Sequence, residues 1–369
     1  MVACAGGALL VCAIAFDRRW LDRHFLPSFY WSRERCVLVA SGARAAAAAL
    51  GLALAVPARA RIARWFAGAM GPALATALAV VLAVGAAEWA LRRVHLRARE
   101  EQPEDQEPCR RADPWLGWRF VPARAGHQTV EGRVIEYAFD AAGYRVRHAG
   151  EAVDPERPTI LFTGESIMVG HELTWNESVP AQVEALLGIQ SANMAVHGFA
   201  SDQAYLRLQA ELPRFPRPAA AVTLFMPALF DRNLDDDRPH LGPGLVWLPP
   251  ERRWRLAAIA GLVVPYRREE TIELGVRMTR EVLRATVELA RERGAVPLIV
   301  VPQFGPEEPA ERALRRRILD EPGLPYVWVQ IDPSWRMDGS LHPDARAARA
   351  IALAVAGRLR EVLDPSPRP

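Results

Sequence analysis

Ser166 is placed in the sequence where a serine can act as a nucleophile. It follows an apolar run in the stretch ILFTGESIMVG (160–170). A hydroxyl at the end of a buried strand lies at the edge of the sheet, where amides at a helix N-terminus can stabilise an oxyanion. A serine between a strand and a helix is also a common N-cap. The position therefore predicts either a nucleophile or a helix cap.

His342 is the second candidate and lies near the C-terminus, in WRMDGSLHPDARAARAIALAVA (335–356). A histidine in a loop before a helix can serve as general base toward a serine, provided that the fold brings the two together. Asp338 lies four residues upstream, and a carboxylate there can fix the imidazole tautomer. A purely structural role for His342 is the alternative.

Competing catalytic motifs each lack a residue. A G-x-S-x-G elbow needs glycine where Met168 stands. His171-Glu172 begins an H-E-x-x-H pattern, but Trp175 occupies the place of the second histidine, so His171 is interpreted as a loop residue. The acidic run 235–237 is typical of a solvated loop. All 46 basic residues are arginine, which excludes lysine-dependent chemistry, and no cofactor or metal is expected.

Alternating strands and helices from residue 158 onward predict the scaffold that must position these side chains. Short apolar strands separated by helices favour an α/β fold with a parallel, doubly wound sheet. Such sheets bind ligands at the carboxyl ends of their strands. Residues 232–263 are irregular and rich in proline, which predicts a cap or loop over the site. Strands are expected at 159–163, 192–196, 220–226, 297–301 and 326–331, and helices at 179–187, 202–212, 269–293, 309–319 and 344–363.

The first hundred residues differ in composition and predict a membrane region at residues 1–99. Up to three transmembrane helices are expected, at about 2–16, 36–56 and 65–87. A polar linker (100–114) and a β-hairpin preface (115–157) precede the main domain (158–369), and Glu131-Gly132 is the expected hairpin turn. A formal net charge of +3 does not favour nucleic acid as a partner. The four cysteines have no CxxC spacing.

Three sequence blocks resemble the SGNH/GDSL hydrolase superfamily. GES (164–166) is similar to the family's Gly-Asp-Ser block, NMAVHG (193–198) to its second block, and DGSLHP (338–343) to its C-terminal Asp-x-x-His block. The resemblance covers roughly residues 158–363. It implies a flavodoxin-like three-layer α/β/α fold with a parallel sheet, the SGNH hydrolase fold. It also implies ester hydrolysis or acyl transfer without a metal.

The resemblance implies a role for each matched residue. Ser166 would be the nucleophile, His342 the base and Asp338 the residue that orients it, while the amides of Ser166 and Gly198 would hold the oxyanion. The family places the aspartate three residues before the histidine, whereas Asp338 is four before. Asp332, or a backbone carbonyl, is the alternative partner of His342.

The third block departs from the family, which has an asparagine in the oxyanion hole at this place. Ala228 or Leu229 stands there instead. Losing one oxyanion donor costs roughly two to three orders of magnitude in turnover. Asn233 is a substitute donor if the loop folds back, although a turn or a cap is its ordinary role. The neighbouring Arg232 is a further candidate donor.

These features predict a membrane-anchored serine esterase or O-acyltransferase acting on an acylated envelope substrate. DPWLGWR (113–119) is similar to the preface of a membrane-anchored bacterial subgroup. The expected partners are a small-molecule, lipid or saccharide ester, the lipid bilayer and envelope polysaccharide machinery. The expected location is the bacterial inner membrane, with a periplasmic domain, although the arginine distribution favours the cytoplasmic side. The alternative is a degenerate binding or assembly component of a polysaccharide system.

Overall fold

The chain divides into two compact units in the computed structural model. Residues Met1–Leu96 and Arg252–Thr271 form unit 1, and residues Arg97–Glu251 and Ile272–Pro369 form unit 2. Within these units the structure describes residues 2–17, 20, 23–24, 26–29, 32–56, 60–61, 64, 70–93, 107–251, 254–256 and 267–363.

The described residues of unit 1 include the helices α1 (Val2–Ala15), α2 (Arg33–Ala55) and α3 (Met70–Arg93). Helices α1 and α2 pack through Gly6 and Gly51, since a Cβ built on Gly51 would lie 2.8 Å from the Gly6 carbonyl oxygen. Within the described residues, α2 is the helix that is long and apolar enough to cross a membrane by length and composition, and the apolar part of α1 is shorter. The predicted span 65–87 begins outside the described residues and continues on α3.

Between residues 110 and 146 the chain forms one antiparallel pair, β1 with β2, and a second antiparallel group in which β4 pairs with both β3 and β5. Strands β3 and β4 form the predicted hairpin, and its turn at Glu131 and Gly132 has φ angles of 52° and 77°. Two successive residues with positive φ are the mark of a type I′ turn, which suits the right-handed twist of hairpins. The bounds are β1 (Arg110–Asp113), β2 (Gly117–Phe120), β3 (Ala125–Val130), β4 (Arg133–Phe139) and β5 (Arg145–Val146).

The central sheet of unit 2 has eight strands in the order β12-β11-β8-β6-β7-β5-β4-β3. The five strands from β12 to β7 are parallel, and the preface strands β5, β4 and β3 extend the sheet with antiparallel pairing. Counted along the chain, the parallel strands have the flavodoxin-like order 2-1-3-4-5. The predicted α/β class is therefore confirmed. The bounds are β6 (Thr159–Thr163), β7 (Gln190–Asn193), β8 (Pro218–Leu224), β11 (Val296–Phe304) and β12 (Tyr326–Ile331).

Helices cover the sheet because its central strands are apolar on both sides. Every residue of β6 is buried, as expected for a strand in the middle of a parallel sheet. Leu208 of α6 and Ala290 of α7 share one core cluster with Leu161 of β6. Helices α5 and α9 pack on each other, and α9 contacts β11 and β12. The bounds are α4 (Ser166–Val169), α5 (Val179–Leu187), α6 (Ser201–Glu211), α7 (Glu269–Glu292), α8 (Pro309–Arg315) and α9 (Ala345–Leu363).

The irregular segment predicted at 232–263 contains a small ribbon, β9 (His240–Gly242) paired with β10 (Val246–Leu248). Residues 252–253 and 257–263 of this prediction lie outside the described residues. A 3-10 helix, Pro227–Leu234, precedes the ribbon and follows the carboxyl end of β8. It occupies the place where the third sequence block was expected.

Candidate active site

Ser166 is the first residue of α4, directly beyond the carboxyl end of β6. Gly164 makes the sharp turn with a φ of 141°, and a Cβ built there would lie 3.0 Å from the Cβ of Leu224. The helix cap is Glu165, whose Oε1 accepts the N–H of Ile167 at 3.1 Å. The Ser166 hydroxyl is therefore not used as the cap and is free for other contacts.

His342 and Ser166 lie together at the same edge of the sheet. The His342 Nε2 is 3.2 Å from the Ser166 Oγ, and the His342 Nδ1 is 3.2 Å from Oε2 of Glu172. The Ser340 hydroxyl also contacts the imidazole, and its Oγ lies 3.0 Å from Nδ1. When Nδ1–H donates to Glu172, Nε2 presents its lone pair to Ser166, which is the arrangement that a general base needs.

Glu172 is held in this position by its backbone and by the charges around it. Its φ of 65° is uncommon for a residue with a side chain and costs conformational energy that the surrounding contacts must offset. Its N–H donates to the Tyr137 hydroxyl at 2.8 Å. Burial raises the pKa of the Glu172 carboxyl, but hydrogen bonds from His342 and Ser340 and the neighbouring imidazoles outweigh this and lower the pKa to about 2. Glu172 is thus an anion at neutral pH.

Arg145 of β5 holds the loop that carries Glu172. Its guanidinium donates to the carbonyl oxygens of Val169 at 2.8 Å, Gly170 at 2.6 Å and Leu173 at 2.6 Å. Arg145 is only 1% exposed, so these bonds are made away from water, where an unmade bond costs most. Because Arg145 belongs to the preface, the preface positions one of the three groups of the site.

Asp338, the partner of His342 expected from the sequence, is placed elsewhere. Its side chain is exposed, and within the described residues the carboxylate that contacts His342 is that of Glu172. Gly339 turns the chain with a φ of 66° and adds the extra residue between Asp338 and the histidine. Asp332, the alternative, is also exposed and accepts the hydroxyl of Ser334 at 2.6 Å. Sequence reasoning considered Glu172 only as part of an incomplete metal motif.

Glu165 gives the Ser166 hydroxyl a second acceptor. The Ser166 O–H donates to Oε2 of Glu165 at 2.6 Å, and Nη1 of Arg232 donates to the same oxygen at 3.1 Å. Glu165 and Arg232 line a small cleft together with Gly164, Phe199, Leu224 and Asn233. A carboxylate, a guanidinium and an apolar wall therefore lie on the side of Ser166 that faces Pro227–Leu234.

The backbone offers two candidate oxyanion donors. Within the described residues, the amides of Ser166 and Gly198 donate no hydrogen bond. Gly198 has a φ of 81°, and its carbonyl accepts from Arg238 Nη1 at 3.0 Å. Ser166 is 2% exposed, so its hydroxyl is almost fully shielded from solvent.

Asn233 and the residues aligned with the third block have other roles. The Oδ1 of Asn233 accepts the N–H of Ser201 at 3.0 Å, and its Nδ2 donates to Thr279 Oγ1 at 3.0 Å. Asn233 thus caps α6 and ties it to α7, with both ends of its amide engaged. Ala228 and Leu229 are buried apolar residues of the 3-10 helix and have no side-chain donor to offer.

Two further histidines crowd His342. The ring centroids of His171 and His197 are 4.6 Å and 5.7 Å from that of His342, and the Nδ1 atoms of both rings are buried without a hydrogen-bond partner in the described structure. Burial, followed by the charge of His342, lowers the pKa of His171 to about 3. Burial also lowers the pKa of His197 well below its usual value, so both rings are neutral.

No family model and no curated protein matches this chain. Among solved structures, it is similar to a lipolytic protein of the G-D-S-L family from Desulfitobacterium hafniense, with 11% identity, a TM-score of 0.36, and 55% of this chain and 99% of that chain covered. An acetyl xylan esterase from Butyrivibrio proteoclasticus has 11% identity, a TM-score of 0.36, and 58% and 66% coverage. A carbohydrate acetylesterase family member from Sinorhizobium meliloti has 15% identity, a TM-score of 0.34, and 56% and 98% coverage. At these TM-scores the likeness is remote.

Proposed function

We propose that this chain is a serine esterase or O-acyltransferase of the SGNH/GDSL type. The proposal depends on two contacts. Ser166 Oγ lies 3.2 Å from His342 Nε2, and His342 Nδ1 lies 3.2 Å from Glu172 Oε2. Nucleophile, base and orienting carboxylate in hydrogen-bond reach are the signature of covalent acyl transfer. Glu172 takes the role that the sequence resemblance gave to Asp338.

The proposed reaction has two halves. Ser166 Oγ attacks the ester carbonyl while its proton passes to His342 Nε2, and the imidazolium is stabilised by the Glu172 anion. The tetrahedral intermediate collapses, the C–O bond to the alcohol breaks, and His342 returns the proton to the leaving alkoxide. Water or a sugar hydroxyl then attacks the acyl-serine with His342 again as base, giving an acid or a new ester.

The oxyanion would be held by the free amides of Ser166 and Gly198, with Arg232 as the third donor. Asn233, considered for this role from the sequence, has both ends of its amide engaged at Ser201 and Thr279. Arg232 lies one residue earlier and bonds Glu165, which bonds Ser166. A guanidinium in that place supplies both a donor and positive charge where negative charge develops.

The substrate is proposed to be an acylated envelope polysaccharide or lipid, and the chain an inner-membrane protein with its catalytic unit in the periplasm. The length and apolar composition of α2 support membrane anchoring. A C-terminal fusion to a phosphatase that is active only outside the cytoplasm tests the side. An active fusion agrees with the proposal, and an inactive fusion that is nevertheless produced contradicts it.

Hydrolysis of p-nitrophenyl acetate by the full-length protein in detergent, beside Ser166→Ala, tests the chemistry. We expect turnover in the native chain only, together with covalent labelling of Ser166 by a sulfonyl or phosphonyl fluoride, read by peptide mass spectrometry. Ser340→Ala is not a suitable control because Ser340 contacts His342, so the exposed Ser334 provides the matched variant, Ser334→Ala. Equal rates in the native chain and in Ser166→Ala exclude the esterase.

One observation favours the alternative, a degenerate binding or assembly component. The Ser166 hydroxyl is buried, and its closer acceptor is Glu165 at 2.6 Å rather than His342 at 3.2 Å. In that case the labelling reagents leave Ser166 unmodified, and the native chain and Ser166→Ala bind acylated polysaccharide equally well. Labelling of Ser166 excludes this alternative because it requires a serine that is both reachable and activated.

A further inference from the structure

We propose that His171, His197 and His342, here called the histidine cluster, bind a transition-metal ion such as Zn²⁺, and that the bound ion switches the site off by capturing the catalytic base. The binding step stands on the geometry of the cluster alone. The inhibition step rests on the proposed function. The ion would be an inhibitory ligand and takes no part in ester chemistry.

The three rings supply one ligand nitrogen each, and these atoms lie within 4.8 Å of one another. Three imidazoles are a common protein ligand set for Zn²⁺, which completes a tetrahedron with water or another oxygen. An ion at the centre of nitrogens 4.8 Å apart would be about 2.8 Å from each, so each ring must move about 0.7 Å to reach the usual Zn–N distance of about 2.1 Å. Rotation about the side-chain bonds supplies a shift of that size.

Unsatisfied nitrogen atoms are the second, independent sign of a ligand. Nδ1 of His171 and Nδ1 of His197 are buried without a hydrogen-bond partner in the described structure, although burial of an unpaired polar atom is costly. His171 as a whole is 6% exposed. A metal ion satisfies such nitrogen lone pairs directly.

The charges around the cluster are mixed. Arg145 and Arg110 act on His171 as positive charges and oppose a cation. Glu172 opposes them, because its Oε1 lies 3.9 Å from Nε2 of His171 and its other oxygen contacts His342. The Glu172 anion both neutralises the ion and offers an oxygen ligand. We therefore expect the site to bind Zn²⁺ and Co²⁺ but not Mg²⁺, because Mg²⁺ prefers oxygen ligands.

Metal binding is incompatible with catalysis whichever nitrogen of His342 is used. Nε2 faces the nucleophile Ser166, and Nδ1 faces Glu172. An ion on Nε2 occupies the lone pair that must take the Ser166 proton. An ion on Nδ1 displaces the carboxylate that orients the ring and stabilises the imidazolium. The result is reversible inhibition that a chelator relieves.

Binding is tested with Co²⁺ on the full-length Ser166→Ala protein, produced without a histidine tag. We expect the intense visible absorption of four- or five-coordinate Co²⁺, saturating at one ion per chain, and its displacement by Zn²⁺. His171→Ala, His197→Ala and His197→Gln should each lose the signal, whereas His148→Ala, which changes an exposed histidine, should keep it. Circular dichroism melting identifies any variant that is unfolded, and the three variants provide independent readings.

Inhibition is tested on the native full-length protein, which retains Ser166, with p-nitrophenyl acetate as the substrate. At Zn²⁺ ten times its dissociation constant, occupancy arithmetic predicts an activity loss of about tenfold, restored by EDTA, while the activity that remains in His197→Gln changes less than twofold. Absence of Co²⁺ absorption, or its persistence in the cluster variants, overturns the metal site. Co²⁺ binding in a chain that hydrolyses no ester supports the site and contradicts only the esterase. Co²⁺ binding with undiminished hydrolysis overturns the inhibition.

Discussion

At the scale of single residues, two glutamates contact Ser166 and His342, and the proposed reaction gives them different roles. Glu172 contacts the imidazole of His342 from behind, and Glu165 contacts the hydroxyl of Ser166 from the side. In the proposed reaction, the first carboxylate would stabilise the positive charge that forms on His342. The second would lie where negative charge forms during attack, and Arg232 places a cation beside it.

Replacing Glu172 and Asp338 in turn tests which carboxylate orients His342. The structure indicates Glu172, whereas the sequence predicted Asp338. Glu172→Gln keeps the size of the side chain but removes the anion, so we expect kcat to fall by about 10³ to 10⁴, as for the equivalent change in serine proteases. Asp338→Asn should change kcat less than twofold because Asp338 is exposed and does not contact His342 within the described residues. Steady-state kinetics on p-nitrophenyl acetate measure both. A large loss in Asp338→Asn together with a small loss in Glu172→Gln would reverse the assignment.

Arg232 and Glu165 are expected to act as a unit. Arg232→Met removes the proposed oxyanion donor and leaves the Glu165 anion uncompensated beside Ser166, so kcat should fall by about 10² or more. Glu165→Gln in the same chain removes the uncompensated charge and should recover part of the loss, giving a coupling energy of roughly 1–3 kcal/mol.

The control for this cycle is Arg358→Met, which breaks an exposed pair with Glu361 and should leave kcat within twofold. Effects of Arg232→Met and Glu165→Gln that simply multiply would mean that the two side chains act independently. Rates for the four combinations, measured under the same conditions, decide between the two outcomes.

At the scale of elements, strand β5 does more than extend the sheet. It pairs with β7 through Arg145 and Asn193, and this places the guanidinium of Arg145 under the loop between α4 and α5. Three of the carbonyls that Arg145 binds belong to residues of this loop on both sides of Glu172. The preface thus positions the loop of Glu172, while the parallel sheet positions Ser166 and His342.

Arg145→Lys tests this positioning role. Lysine keeps the charge, but its single ammonium group cannot reproduce the planar donors of arginine, so the loop should relax. We expect kcat to fall at least about tenfold with KM nearly unchanged, because small displacements of a catalytic group mainly slow the chemistry. Arg133→Lys is the matched control, since it alters an exposed ion pair with Glu177 in the same preface. An equal fall in kcat for both variants would contradict the role of Arg145.

Elements whose sequence pattern lies within the element itself could be predicted from the sequence. The helix at 179–187 and the strands at 159–163 and 326–331 have the bounds expected from periodicity, because their apolar spacing is set within the element. The contact of Glu172 with His342 was not predicted because it depends on a positive φ at Glu172, on Tyr137 of β4 and on the bonds from Arg145 to the loop, which no local pattern encodes. The place of Asp338 was missed because the Gly339 turn lengthens the loop by one residue.

At the scale of the whole molecule, the chain divides into two compact units. Unit 1 depends on close packing of α1 against α2 at Gly6 and Gly51, a small-residue contact of the type that joins helices in membranes. Unit 2 contains all of Ser166, His342 and Glu172. Damage to the helix contact should therefore destabilise the first unit and leave the chemistry of the second intact.

Gly51→Leu makes this prediction specific. A Cβ at residue 51 would meet the Gly6 carbonyl oxygen at 2.8 Å, so the helices must separate, and we expect faster proteolysis between α1 and α2 in detergent. Hydrolysis of p-nitrophenyl acetate should stay within twofold of the native rate. Gly42→Leu is the matched control because it lies on the same helix, where an added Cβ meets no atom within 4 Å. If Gly51→Leu abolishes hydrolysis while Gly42→Leu does not, the geometry of the catalytic groups depends on the helix pair, and the functional independence of the two units is refuted.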